Sequence, residues 1–265
     1  MEESREYIRV GGFPLSHLLQ GASYRVNRLS GWWQRPSVKR TTVARSRADG
    51  DLPMPWDFNA RHIAIDGHIT ARDHNHMHHV MDTLSAIATT DREWLSIQGH
   101  GPLTAALVEA DDEPFLMPVT DRKFRFELRF KANDPRRYGE RWDRPLIGGT
   151  NEYRQYGTYP SPVHAYPRLS AVAAGNGYTL TAAVPRVGNR VWECFGVIGM
   201  SSIEHHADIT AGVHFVEGQR VDEHMGRMQS WMLPGQGRLT TITTAVLDGG
   251  TFNSGGTLRY WDTYI

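Results

Sequence analysis

The sequence predicts a mainly β protein made of two β modules in series, and three observations support this. Apolar and polar residues alternate with a period of two in many short segments, which is the pattern of half-buried strands. The chain has 26 glycines and 14 prolines in 265 residues, as expected for strands joined by tight turns. Only one stretch has the three- and four-residue apolar spacing of a helix.

The first half of the chain contains the clearest strand patterns. Residues 62–69 alternate isoleucine with polar residues, and residues 124–130 alternate phenylalanine or leucine with charged residues. Weaker strands are predicted at Glu93–Gln98 and Leu103–Ala110. These patterns indicate sheets with one face on a core and one face in water.

One helix is predicted, from Asp73 to Thr89. Asp73 is a suitable N-cap because its carboxylate can accept a backbone N–H of the first turn. The apolar residues that follow form one stripe along the helix: Met77, Val80, Met81, Leu84 and Ile87. The first module is therefore expected to hold strands, one helix and further strands.

Five prolines occur from Asn133 to Pro167, and residues 139–160 of this stretch are predicted to be a linker between the modules 1–138 and 161–265. The second module shows only strand signals, separated by glycine-containing turns. These strands are predicted at Tyr178–Val184, Val191–Ile198, Ile209–Phe215 and Leu239–Val246. Short strands at this spacing, with no helix between them, predict an antiparallel sandwich.

Charge is balanced over the chain and uneven along it. Lysine plus arginine equals aspartate plus glutamate at 29 each, which argues against a dedicated nucleic-acid coat. Residues 7–48 contain no acid and eight cations, whereas acids gather at 111–113 and at Asp121. The ordinary interpretation is a solvated basic face. The alternatives are a basic arm that meets the acidic edge of the next copy, and a contact with nucleic acid.

The basic arm supplies the candidate interface residues, which are Trp32, Trp33, Arg35, Arg40 and Arg45. A tryptophan pair in a polar segment is unfavourable unless it is buried in a core or at an interface. Core packing and subunit contact are equally good interpretations of this pair.

No catalytic, cofactor-binding or metal-binding residue is predicted. The sequence has no G-x-S-x-G elbow, and its glycine pairs lack the spacing of a phosphate-binding loop. His74 and His78 are four residues apart and share a helical face, a geometry that can chelate a metal. The ordinary interpretation is a solvated, histidine-rich helix face; a metal-dependent enzyme using this pair is a further hypothesis.

Compartment signals are few. The single cysteine, Cys194, excludes an internal disulfide, and the first four residues lack the character of a secretory leader. No apolar run approaches the ~18 residues of a membrane helix. We expect synthesis in a reducing cytoplasm and no membrane insertion.

In the order and spacing of its motifs the chain resembles the distal tail proteins (Dit) of long-tailed bacteriophages. The resemblance covers nearly the whole chain. It rests on Trp32-Trp33 with Pro36, on residues 61–67 before the helix, on residues 126–138, on residues 207–218, on residues 231–237 and on the final strand at residues 258–261.

The resemblance implies a β-barrel-like ring domain with one helix at 1–138 and a galectin-like sandwich at 161–265. It implies a non-enzymatic virion protein: a hexameric ring at the distal end of the tail, assembled in the host cytoplasm. Its implied partners are other copies of itself, the tail tube, the tape-measure protein, the tail tip or baseplate hub and receptor-binding proteins, with DNA passing through the lumen.

The alternative function is a carbohydrate-binding module for attachment to the host surface. Trp261 and Tyr264, in the last strand, could line a sugar groove. Closing the sandwich core is the more ordinary role for both residues.

Overall fold

The computed structural model of the chain describes residues 7–15, 21–40, 43–44, 51–52, 56–87, 92–99, 101–146, 149–166, 178–184, 188–194, 205–211, 213–216, 219–220, 225–228, 232–246 and 256–265. The chain forms two compact units, the first made of residues 1–137 with Ile265 and the second of residues 138–264. Antiparallel strands and a single helix make up the regular structure of these described ranges, so the predicted mainly β fold class is confirmed.

The first unit contains most of the short strands and the helix. Its elements are β1 (Tyr7–Val10), β2 (Phe13–Pro14), β3 (Ser23–Ser30), β4 (Val38–Arg40), β5 (Val43–Ala44), β6 (Asp51–Leu52), β7 (Trp56–Phe58), β8 (Arg61–Thr70), α1 (His74–Ser85), β9 (Glu93–Gln98), β10 (Thr104–Ala110), β11 (Phe115–Thr120) and β12 (Lys123–Ala132).

The second unit is built from strands alone in its described part. They are β13 (Arg137–Leu146), β14 (Gly149–Tyr153), β15 (Val163–Tyr166), β16 (Tyr178–Val184), β17 (Gly188–Cys194), β18 (His205–Asp208), β19 (Val213–Val216), β20 (Gln219–Arg220), β21 (Met225–Met228), β22 (Thr240–Val246) and β23 (Gly256–Tyr264).

The first unit is organised around the pairing of β8 with β12, which runs along all ten residues of each strand. β3 pairs with the other edge of β8. The other edge of β12 pairs with β11 near its start and with β10 near its end. From β10 the sheet continues through β9 and β1 to β2. β11, β12, β8 and β3 therefore form a four-stranded antiparallel sheet, called here the central sheet.

Alternation along β8 and β12 matches the prediction from the sequence. Phe124, Phe126 and Phe130 are buried, as are Ile63 and Ile65, while the intervening residues are partly or fully exposed. Period-two alternation places every second side chain on the same face of a sheet, so each strand has one face on the core. The predicted weaker strands are also confirmed, as β9 and β10.

Two irregularities interrupt the outer strands of the central sheet. In β3 the pairing shifts by one residue between Val26 and Arg28, which leaves Asn27 as the extra residue of a bulge. In β11 the pairing shifts between Pro118 and Thr120. Gly67 lies opposite the first bulge, where a β-carbon would collide with the carbonyl oxygen of Arg25.

Helix α1 begins where the sequence predicted. The Asp73 carboxylate accepts the backbone N–H of His76 at 2.8 Å, which confirms the N-cap and lowers the pKa of Asp73. Met77, Val80 and Leu84 are buried in the core of the unit, and Met81 and Ile87 pack against it. The helix ends at Ser85, four residues before the predicted end.

Residues 7–48, predicted as a basic arm, are not a separate arm in the part that the structure describes. β1 and β3 are integral to the sheets of the first unit, and the exposed Arg25 and Arg28 lie on β3. Two short ladders, β4 with β7 and β5 with β6, follow as parts of one hairpin. Arg9, Arg25 and Arg28 therefore belong to sheet surfaces, because alternation turns them outward from a buried apolar face.

The second unit contains two antiparallel sheets. One has the strand order β13-β23-β15-β18-β19-β20 and the other β14-β22-β16-β17-β21. Tyr153 of one sheet and Tyr260 of the other are both buried, and their rings meet edge to face with centroids 6.5 Å apart. The Tyr153 hydroxyl donates to the Pro145 carbonyl at 2.9 Å. These contacts close a β-sandwich core.

Two segments of the second unit differ from the sequence prediction. Residues 139–160, predicted as a linker, hold all of β14 and most of β13, and β14 pairs along its length with β22. Tyr153 of this segment is buried in the core of the second unit, so the segment packs as part of that unit. The single strand predicted at Ile209–Phe215 is wrong, because a turn follows Asp208, whose carboxylate accepts the Ala211 N–H at 2.9 Å.

A buried arginine joins three strand ends of the central sheet. Arg61, at the start of β8, is only 1% exposed. Its Nε donates to the Pro135 carbonyl at 2.9 Å, beyond the end of β12. Its Nη1 lies 2.7–2.8 Å from three carbonyls of the loop after β3, those of Gly31, Trp32 and Gln34.

Burial, and then the charge of nearby Arg137, lower the pKa of Arg61 to about 10, so its guanidinium is cationic at neutral pH. Four carbonyls depend on this one side chain. Gly31 has a positive φ of 79°, and a β-carbon there would collide with the His62 carbonyl oxygen, so the loop also requires glycine at its first position.

Replacing Arg61 with methionine should lower the free energy of unfolding by about 3–5 kcal/mol, because four carbonyls then lose their donor in a buried site. Urea unfolding followed by circular dichroism measures the change. Arg125→Met is the matched control: its guanidinium is half exposed, 3.5 Å from Asp66, and its loss should cost less than about 1 kcal/mol. Equal stability of the two variants would contradict the role of Arg61.

Candidate assembly surface

The outward face of the central sheet is mostly polar on β3, β8 and β12 and apolar on β11. Residues directly opposite each other on neighbouring strands share a face, so the cross-strand pairs define it. Phe115 and Met117 of β11 lie opposite Glu127 and Arg125 and belong to it. Its charged and histidine members are Arg25, Arg28, Asp66, His68, Arg125, Glu127, Arg129 and Lys131. This face and the two outer strands, β3 and β11, form the candidate assembly surface.

Ion pairs order the charges on this face. Arg129 lies 2.9 Å from Glu127 and 3.3 Å from Asp112, and these neighbours raise its pKa. His62 Nδ1 lies 2.6 Å from a carboxylate oxygen of Asp111 at the edge of the same region. Exposed pairs contribute little to stability, so their main effect is to fix the positions of the charges.

His68 lies in a cationic part of the face. Arg25 and Arg125 are its cross-strand neighbours, and Lys123 is close by on β12. Partial burial, then Lys123, then Arg25, lower the pKa of His68 below its ordinary value of 6.5. The imidazole is therefore neutral at pH 7, which avoids a third adjacent positive charge.

The β11 edge has an exposed apolar stripe. Phe115, Met117 and Val119 occupy alternate positions of the strand and are 44–56% exposed, while Leu116 turns inward against the core. Among the described strands, β11 pairs only with β12, so its other edge is open. This strand was not predicted from the sequence, although the period-two pattern of residues 115, 117 and 119 would have indicated it.

An acidic hollow adjoins the start of this stripe. It has a volume of about 340 Å³ and is lined by Asp112, Glu113, Pro114, Phe115, Glu127 and Arg129. Three carboxylates and one guanidinium give it a net negative lining. The acidic residues predicted as an edge therefore lie beside the exposed apolar stripe.

The opposite side of the central sheet ends at β3, which pairs only with β8 among the described strands. Arg25 and Arg28 are exposed along it, and no acidic residue occurs on β3. One edge of the central sheet is therefore basic, and the other is apolar with an acidic hollow.

The predicted interface residues have different surroundings. Trp32 is completely buried in the core of the first unit, so core packing is its role within the chain. Trp33 is 48% exposed. Arg35 is exposed, with its guanidinium 5.0 Å from the centre of the Phe58 ring. The side chain of Arg40 and all of Arg45 lie outside the described residues.

Arg137 holds the tryptophan pair in place. Its guanidinium lies over both indole rings, 5.7 Å from the centre of Trp32 and 5.1 Å from that of Trp33. Its Nη2 also donates to the carbonyl of Ile265 at 3.0 Å. Cation–π contacts of this kind orient the ring of Trp33 while leaving half of it exposed.

In the second unit the two aromatic residues at 260 and 261 have opposite roles. Tyr260 closes the core, whereas Trp261 faces outward and is partly exposed. The Trp261 ring contacts the rings of His164 and Tyr138 edge to face, at 5.4 and 5.8 Å between centroids. Arg259, on the same face, forms an ion pair with Asp143 at 2.7 Å.

No helix in the described part of the chain has the length and apolar character needed to span a membrane. No model of a known protein family matches the sequence, and neither does any curated protein.

A solved phage protein shares the fold of this chain. The chain is similar to the SPP1 Dit protein, described as a paradigm of the hub adsorption apparatus in phages that infect Gram-positive bacteria. The two share 11% sequence identity with a TM-score of 0.68, over 98% of this chain and 99% of that one. Chains of the phage P2 baseplate with Ca and with Sr also match, at 7% and 6% identity and TM-scores of 0.49 and 0.47. Their coverage is 98% of both chains for the first, and 96% of this chain and 97% of that one for the second.

Because the pKa of His68 is lower in the folded state than in the unfolded chain, its contribution to stability is complete above pH ~6.5 and is lost as the pH falls through the folded-state pKa. An NMR titration should show a His68 pKa below the ordinary value. Lys123→Gln and Arg25→Gln should each raise this pKa. A pKa that neither substitution changes would contradict the proposed electrostatic environment.

Proposed function

We propose that this protein is a structural component of a long-tailed phage virion, a distal tail adaptor that assembles into a hexameric ring at the far end of the tail. The observation that carries the proposal is the fold shared with SPP1 Dit over 98% of the chain. We assign ring assembly to residues 1–138 and a peripheral role to residues 161–265. The protein acts by shape and contact, with no chemical turnover.

The edges of the central sheet support assembly into a ring. A ring made by repeating one contact must join two different patches of each copy. β3 and β11 are two open edges of one sheet, one basic and the other apolar with an acidic hollow. Bringing β3 of one copy to β11 of the next joins complementary charges and covers the exposed stripe at Phe115, Met117 and Val119.

A ring closed in this way has a lumen whose lining we assign to the outward face of the central sheet, which is mostly polar on β3, β8 and β12. Closing a sheet edge to edge turns one face toward the axis, and the other face is already buried on the core. The lining would then carry more cations than carboxylates, with some of the cations paired, such as Arg129 with Glu127. Pairing weakens the attraction of these cations for phosphate, which suits the transient passage of DNA, because strong phosphate contacts would retain it.

The remaining partners follow from the position of an adaptor. We propose that the ring joins the tail tube and tape-measure protein on one side to the tail tip or baseplate hub and receptor-binding proteins on the other. The exposed Trp33 and Arg35 of the first unit are candidate contacts, together with the predicted Arg40 and Arg45. The protein would be made and assembled in the host cytoplasm.

Glycan binding by the second unit is a second candidate function, favoured by the outward face around Trp261. An exposed indole can stack on the apolar face of a sugar, and the neighbouring Arg259–Asp143 pair and His164 offer hydrogen bonds to hydroxyl groups. This face would add host-surface attachment to the structural role.

The ring contact can be tested with Val119→Lys, which places a charge in the exposed stripe on β11. Burial of an apolar side chain contributes about 1.5–3 kcal/mol, so this change should weaken self-association about tenfold or more. Light scattering and native mass spectrometry of the purified protein measure the ring. Leu103→Lys is the control, because Leu103 is 47% exposed but lies on neither edge of the central sheet.

A wild-type protein that stays monomeric, even with tail-tube protein present, would contradict the proposed function. Rings that form equally well with Val119→Lys would contradict only the assignment of the contact to β11.

The glycan hypothesis predicts that a host-surface glycan retained by the wild-type protein on an array is lost with Trp261→Ala and kept with Tyr156→Ala. Tyr156 is a suitable control because it is 62% exposed and its ring contacts Trp142. An array without signal removes the hypothesis and leaves the structural role unaffected.

A further inference from the structure

The first turns of α1 bring two imidazoles together. His74 and His78 are four residues apart, so both side chains project from the same side of the helix. Their Nε2 atoms are 3.2 Å apart, and the two ring planes are nearly perpendicular at 81°. Both residues are exposed, so an ion could reach them without any rearrangement of the core.

The two Nε2 atoms lie close enough to share one ligand. Their separation is 3.2 Å, and the ring centroids are 4.6 Å apart. Two ligands at ~2.0–2.1 Å from a tetrahedral zinc ion are separated by about 3.3 Å. The observed separation therefore already matches that of two nitrogens on one metal ion.

We propose that His74 and His78 chelate one divalent transition-metal ion through their Nε2 atoms. Neutral imidazole is a ligand for Zn²⁺, Ni²⁺ and Cu²⁺, whereas Mg²⁺ and Ca²⁺ prefer oxygen ligands. No third His, Cys, Asp or Glu completes a cluster among the described residues, so water supplies the other coordination positions of the ion. The site goes beyond the proposed structural role, and it revises the sequence prediction of no metal site.

The neighbouring histidines do not belong to this site. His76 Nδ1 accepts the backbone N–H of Arg72 at 3.3 Å, which orients its ring toward the segment before the helix. His79 is exposed on the same helix but is five residues from His74, which places it on a different side. His79 is thus a matched control, with the same chemistry and exposure, because it lies on a different side from His74 and the Nδ1 of the imidazole three residues before it, His76, already accepts a backbone N–H.

The test is isothermal titration of the full chain, without an affinity tag, with Zn²⁺, Ni²⁺ and Mg²⁺. We expect one Zn²⁺ or Ni²⁺ per chain at this site and no binding of Mg²⁺. His74→Gln and His78→Gln should each weaken Zn²⁺ binding about tenfold or more, because loss of one ligand removes the chelate. His79→Gln should leave the affinity unchanged. Saturating Zn²⁺ should also raise the melting temperature of the wild-type chain but not that of His74→Gln.

Electron paramagnetic resonance with Cu²⁺ provides an independent measurement. Coupling to two imidazole nitrogens, reduced to one in His78→Gln, would support the site. Absence of Zn²⁺ binding, an equal loss with His79→Gln, or a Cu²⁺ spectrum unchanged by His78→Gln would each overturn it. Circular dichroism of each variant shows whether α1 remains folded. None of these outcomes bears on ring assembly, which is measured separately.

Discussion

The buried guanidinium of Arg61 is the interaction on which the arrangement of the first unit depends. The central sheet turns its apolar face to the core, but alternation alone does not fix where its strands begin and end. Arg61 fixes these positions by donating to carbonyls beyond the ends of both β3 and β12 from the start of β8. Nε and Nη1 of this buried charge have partners only when the three strand ends are arranged in this way, while Nη2 has no hydrogen-bond partner among the described residues. A buried charge that lost these partners would be costly, so the contact favours one arrangement of the strand ends.

The same contact positions the surface features nearby. The loop after β3 is drawn toward Arg61, so Trp32 enters the core and Trp33 remains at the surface beneath Arg137. Adjacent residues of one sequence motif are thereby divided between packing and exposure. The proposed lumen lining and the proposed subunit contact also depend on this arrangement. The charged faces of β8 and β12 and the open edges of β3 and β11 all belong to the central sheet.

Much of the fold was predictable from local patterns, and the exceptions have physical causes. β8, β12 and α1 followed from strong alternation or a strong apolar stripe. β3 was missed because it is an outer strand with many polar residues, and β13 because the prolines within and around it suggested a linker. At residues 209–215 the apolar alternation continued through a turn that the Asp208 carboxylate stabilises locally. Local periodicity does not report such side-chain contacts.

The candidate assembly surface was predictable only in part. Segregation of charge along the sequence indicated that basic and acidic regions would be separate. In the structure they lie at the two opposite edges of the central sheet, β3 and β11. The role of Arg61 was not predictable, because its partners lie 27 to 74 residues away along the chain. The separation of the Nε2 atoms of His74 and His78 likewise depends on side-chain conformations that sequence spacing does not determine.

The interruptions at Asn27 in β3 and beside Pro118 in β11 have a consequence for the free molecule. An uninterrupted outer strand offers a regular row of N–H and C=O groups on which any exposed strand can add, and such addition leads to fibres. A bulge breaks that row, and proline removes one of its donors. Both open edges are therefore poor templates for indiscriminate strand addition by other chains.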